Sequence, residues 1–151
     1  MTTRATRLRH RLLGVMLFLL GTTATIAVDR VVLIANVKNP VSELNTLEVQ
    51  KLFLGLTVSA GGNALHPLRN ESDDLLRQIF YQNIISMSES TYTRRLLALT
   101  LQQGRTAPPI YKSAKELVSA VAADSESISF AWAAEVAGDP RIKVLRVLGQ
   151  E

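Results

Sequence analysis

The chain of 151 residues contains no cysteine. Disulfide scaffolds, zinc ribbons, thiol nucleophiles, iron–sulfur ligation and a cysteine-linked lipid anchor are therefore all excluded. Histidine is almost as scarce, with only His10 and His66. A hydrolytic triad needs a histidine backed by a carboxylate, and His66 lies beside Pro67 with no nearby carboxylate in sequence. A structural or surface role for His66 is the expectation. One histidine and scattered carboxylates also give no metal-ligand spacing. Gly61 and Gly62 fit neither the G-x-x-x-x-G-K nor the G-x-G-x-x-G frame, so no nucleotide-phosphate loop is expected. Covalent and metal-assisted catalysis are accordingly not expected, nor is a cofactor.

A basic excess is missing as well, although the net charge of +4 hides this. Arg4, Arg7, Arg9 and Arg11 all lie in the first eleven residues, and taking those four from the 17 basic residues leaves 13, equal to the 13 acidic ones. The body of the chain is neutral and carries no electrostatic footprint for DNA or RNA. Aromatic residues make up only 5%, but the hydrophobic content of 47% is enough for a core. The length suits one domain.

The N-terminal arginines precede an apolar run, Leu12 to Leu20, and a mostly small-residue tract, Thr22 to Ala27. That order is the pattern of a secretory signal peptide. Residues 1–27 are read as the export segment and 28–151 as the domain, with cleavage after Ala24 or Ala27 and a periplasmic destination. An uncleaved anchor is the alternative, because Leu12 to Val28 is 17 residues without a charge, at the lower limit for crossing a bilayer. Membrane contact is expected only through that segment, if it is retained.

Beyond it, Val31 to Val37 is a nearly continuous apolar run rich in β-branched residues, which predicts a buried and parallel strand. A short helix is expected from Thr46, as its cap, through Leu54, with Gly55 as the stop. Ala64 to Arg69 is a short strand that Pro67 confines to an edge. A helix capped by Ser72 runs to about Ile85, and a second from about Glu89 to Gln103 ends at Gly104. Ser113 and Glu116 form a capping box for a helix to about Ala123. Ser127 to Trp132 and Ile142 to Leu148 read as strands, with Phe130 and Trp132 on one face in or beside the core. This alternation makes the class α/β.

The most informative segment is Leu68-Arg69-Asn70-Glu71-Ser72-Asp73-Asp74. A serine and an arginine at a helix start can hold an oxyanion against free amides and the positive end of the helix dipole. Equally, Ser72 can be a plain N-cap, with Asp73 and Asp74 already supplying the charge that the dipole favours. Asn36, Lys38 and Asn39 at the end of the first strand are positional candidates, because ligands of α/β folds bind at the carboxyl ends of strands.

The run from Asn39-Pro40 through Leu44 to Leu52-Phe53-Leu54-Gly55 resembles the N-P-x-x-x-L and I-F-x-G stretch of phosphate ABC transporter substrate-binding proteins. Arg69 and Ser72 are similar to the arginine and serine of that family's R-x-x-G-S-G-T segment. Phe80 and the span Ser113 to Trp132 continue the likeness. The glycines of the segment are here Glu71, Asp73 and Asp74, and the family's I-G-Y is Ile128-Ser129-Phe130. The resemblance implies a periplasmic binding protein-like II lobe, a small mixed sheet flanked by helices, in a short single-lobe form. It implies non-catalytic binding of phosphate or a similar small oxyanion, with Arg69 and Ser72 as ligand-binding residues, to which strand-end position adds Asn36 and Asn39. The alternative is an envelope protein–protein interaction module that has lost anion binding.

Overall fold

A computed structural model describes residues 29–150, so the expected export segment lies outside the described residues. The elements in chain order are β1 (Arg30–Asn36), α1 (Thr46–Phe53), the short strands β2 (Ser59–Ala60), β3 (Asn63–Ala64), β4 (His66–Pro67) and β5 (Arg69–Asn70), then α2 (Asp74–Ile79). A π-helical segment, Phe80–Ile85, prolongs α2. There follow α3 (Glu89–Gln103), β6 (Ile110–Tyr111), α4 (Ala114–Ala123), β7 (Ser127–Trp132), α5 (Ala133–Val136) and β8 (Ile142–Gln150). A four-stranded mixed sheet has the order β4-β7-β1-β8, beside two-stranded ladders β2-β3 and β5-β6. Helices cover both faces, so the α/β class and the mixed sheet expected from the sequence are present.

From Val31 to Ala35, β1 is apolar without interruption because it is central and covered on both sides. Val31, Leu33 and Ala35 face α1, the π-helical segment and α3, whereas Val32 and Ile34 face Leu117, Val118 and Val121 of α4. Its direction corrects the expectation of a parallel strand: β1 is antiparallel to both β7 and β8. A two-faced buried strand reads as an apolar run whichever way its neighbours point, so composition alone could not decide. The parallel pairs are β4 with β7 and β5 with β6. Pro67 does sit in an edge strand, as its missing N–H requires. Through the β1–β8 ladder, Arg30 pairs with Gln150, and register shifts interrupt the pairing after Val31 and after Leu33.

Two caps differ from the sequence reading by one residue. Asn45, not Thr46, caps α1, accepting from the amide of Glu48 while the Glu48 carboxylate accepts from the amide of Asn45. Asp73, not Ser72, caps α2, accepting from the amide of Leu76. In both cases the preceding or following residue is also a good cap, so local propensity could not separate them. Ser113 caps α4 through the amide of Glu116 at 3.3 Å, without the reciprocal bond of a full box. Ser86 closes the π-helical segment in the left-handed region at φ 58°.

The larger core is aromatic despite the low aromatic content. Phe80 stacks on Phe130 at 4.5 Å between ring centres, and Phe53 meets both edge-on at 5.2 and 5.6 Å. Phe80 therefore touches rings from α1, α3 and β7 together, since Tyr92 also meets it edge-on. Replacing Phe80 by Ala should destabilise the domain by about 3 to 5 kcal/mol, read from urea unfolding; a loss below 1 kcal/mol would show that this cluster is not the centre of the core.

Candidate functional site

β5, β6 and β7 run in one direction, and their carboxyl ends gather at one end of the molecule. Arg69 and Asn70 pair with Ile110 and Tyr111, and the Asn70 side-chain amide donates to the carbonyl of Phe130 at 2.9 Å. The chain leaves β5 for α2, β6 for α4 and β7 for α5, so these strand ends are each followed by a helix start. In an open α/β sheet this is where ligands bind.

Arg69 and Ser72 both lie here, but each is already engaged. The Arg69 guanidinium is 9% exposed, donates from Nη2 to Glu71 and to the Tyr81 hydroxyl at 2.8 Å, and lies 4.9 Å over the ring of Tyr92. Ser72 donates from both its amide and its hydroxyl to Oδ1 of Asn70, at 3.0 and 2.6 Å. Asn70, 1% exposed, is thus the residue that holds the loop on β7. Its Oδ1 accepting from the amide two residues on makes an Asx turn, for which the asparagine itself is the sequence signal.

Asn36 and Asn39 are at the other end of the sheet, because β1 runs antiparallel to β7. Asn36 is one residue beyond the pair Ala35–Ile128, whereas Ser72 follows the strand that bonds Phe130. From the level of Asn36 to that of Phe130 is three residues, about 10 Å along the strands at the usual rise per residue. Asn36 donates to the carbonyls of Val121 and Ala122, closing the end of α4, and accepts from the amide of Lys38. Asn39 accepts from the amide of Val41, and its buried side-chain amide has no partner among the described residues. The rule that placed these residues near Arg69 holds for parallel strands, and β1 is not one.

Carboxylates crowd the strand ends. Glu135 accepts from the amide of Trp132 at 3.3 Å. Its carboxyl titrates above the ordinary value, chiefly through desolvation, which outweighs that amide's opposing effect, with Asp73 and Asp29 repelling its charge. His66, read from sequence as lacking a carboxylate, has one: its Nδ1 lies 2.8 Å from Oδ2 of Asp124, 58 residues away. Among the described residues, no group of three His, Asp or Glu side chains is placed to hold a metal ion, and no helix is long and apolar enough to cross a membrane.

The raised titration of Glu135 means that its charged form is disfavoured in the folded state. Stability is therefore lost as pH rises from the unfolded value, about 4.5, through the higher folded one. Glu135→Gln keeps an oxygen for the Trp132 amide and removes the charge. Its melting temperature should exceed that of the parent at pH 7 and match it near pH 3.5, in paired thermal scans.

No family model and no curated protein matches the chain. Solved structures do. An ABC-type phosphate transport receptor from Vibrio cholerae superposes with a TM-score of 0.59 at 16% identity, over 78% of this chain and 46% of that one. A putative phosphate ABC transporter substrate-binding protein with bound phosphate from Clostridium perfringens gives 0.58 at 16% identity, over 78% and 44%. A possible phosphate binding protein from Planctomyces limnophilus gives 0.57 at 13% identity, over 80% and 42%. The chain spans less than half the length of each. With its antiparallel central strand, its parallel edge and its helices on both faces, the chain shares its fold with part of these solved structures.

Proposed function

We propose that the chain is an exported, non-catalytic binding domain for phosphate or a similar small oxyanion, acting in the periplasm. The observation that carries this reading is the position of the Arg69–Ser72 loop. It lies at the carboxyl end of β5, in a fold shared with proteins named for phosphate binding and transport. Those neighbours are described as receptors and substrate-binding proteins, whose task is to hold a ligand without breaking a bond. Arg69 supplies charge and Ser72 a hydroxyl, while Asn36 and Asn39 stay with the loop that they hold. Export rests on the basic and apolar N-terminal pattern of residues 1–27.

A specific observation favours the second reading, an envelope protein–protein interaction module. Glu71 occupies Nη2 of Arg69, and Glu135, Asp73 and Asp29 bring negative charge to the same end. An entering anion meets repulsion there and must compete with an internal carboxylate.

The two readings separate in a thermal unfolding series with millimolar phosphate or sulfate. An anion at about 100 times its dissociation constant adds about 2.7 kcal/mol, a rise of several degrees for a domain of this size. Ser72→Ala should abolish that rise, and Glu71→Gln, by releasing Arg69, should enlarge it. If neither the parent nor Glu71→Gln responds to any anion, the binding reading fails and the interaction module takes its place.

A further inference from the structure

We infer that the cleft along the outer edge of β4 is a second binding site, for a small, flat, apolar molecule carrying one hydroxyl, of the size of a one- or two-ring phenol. The cleft has a volume of about 400 Å³ and lies between the end of α1, the edge of β4 and the segment after α3. Its origin is in the backbone. Leu65 donates inward to Val58, and pairing with the segment after α3 starts only at Arg69, which donates to Pro109. Between them stands Pro67, which has no N–H to extend the ladder. The facing wall is Pro108-Pro109, which has none either. Three prolines and the side chains of Leu52 and Leu65 therefore leave a gap whose walls offer rigid apolar rings and few donors, a surface suited to a flat hydrocarbon body.

The polar handle is the His66–Asp124 pair, both residues of the cleft wall. Oδ2 of Asp124 accepts from His66 Nδ1 at 2.8 Å and from the Ser127 hydroxyl at 2.9 Å, and Oδ1 accepts from the amide of Glu126 at 3.0 Å. Burial raises the Asp124 carboxyl, but these three donors outweigh it and hold the group below its ordinary value. The carboxylate already accepts three hydrogen bonds, and its part is to fix the imidazole through Nδ1. Nε2 is then the nitrogen left for a ligand, and His66 is 56% exposed. A hydroxyl is the group that serves Nε2 in either protonation state, donating to its lone pair or accepting from its N–H. A carboxylate or an ammonium would serve only one.

This site is independent of the anion reading. His66 pairs with Ser127 at the start of β7, whereas the Ser72 loop is held by Asn70, four residues and about 13 Å further along the chain. A fluorescence titration of the purified chain with 2-naphthol tests it, with naphthalene as the comparison that lacks the hydroxyl. Saturable one-to-one binding is expected, weaker for naphthalene, and insensitive to millimolar phosphate. His66→Ala should weaken 2-naphthol by about fivefold, the effect of one hydrogen bond, and leave naphthalene unchanged. Ala107→Trp, on the exposed wall of the cleft, should abolish binding of both while its melting temperature stays at the parent value. Non-saturable uptake, displacement by phosphate, or equal binding in the parent and in Ala107→Trp would each overturn the assignment.

Discussion

A buried guanidinium has to be answered on every side, and Arg69 sets that requirement for the larger core. Removing its charge from water is expensive unless carboxylate and hydrogen-bond partners replace the lost hydration. Here Glu71 supplies the opposite charge, the Tyr81 hydroxyl accepts a hydrogen bond, and the ring of Tyr92 offers its negative face. Each partner is tied in turn to another element. The hydroxyl of Tyr92 donates to the carbonyl of Phe53 at the end of α1, and Phe80, adjacent to Tyr81, stacks on Phe130 of β7. The π-helical segment, α3, α1 and the sheet thus share one polar centre wrapped in aromatic rings.

The same arrangement explains why the anion question is open to experiment. The charge of Arg69 faces inward and is matched by Glu71, two positions away. Burial raises the hydroxyls of both Tyr81 and Tyr92 above the usual tyrosine range, so both stay protonated and neutral beside the guanidinium. The difference between receptor and scaffold then reduces to whether an external oxyanion can outcompete one glutamate.

Much of this fold could be read from the sequence because it follows from periodicity and caps. The strands at 127–132 and from 142, the helix ending at Gly104 and the edge position of Pro67 all rest on local rules. What could not be read is non-local. The direction of β1 depends on its neighbours, and β5 and β6, at two residues each, are too short to carry a pattern. The π-helical register of Phe80–Ile85 keeps the same buried residues that an α-helix would bury, so its apolar spacing does not reveal it. At the site, Arg69 and Ser72 were found as chemistry, but the Glu71 pairing and the anchoring by Asn70 depend on where side chains turn. The His66–Asp124 contact spans 58 residues and leaves no local trace.

The pairing of Arg30 with Gln150 has a consequence for attachment. Directly opposed residues in an antiparallel ladder lie about 5 Å apart, so the first and last strands open side by side, at the same end of the sheet as Trp132. A bulky group attached at either of these two residues therefore departs from one point of the sheet. The carboxyl ends of β5, β6 and β7 lie at that same end, so such a group would stand beside the Arg69–Ser72 loop.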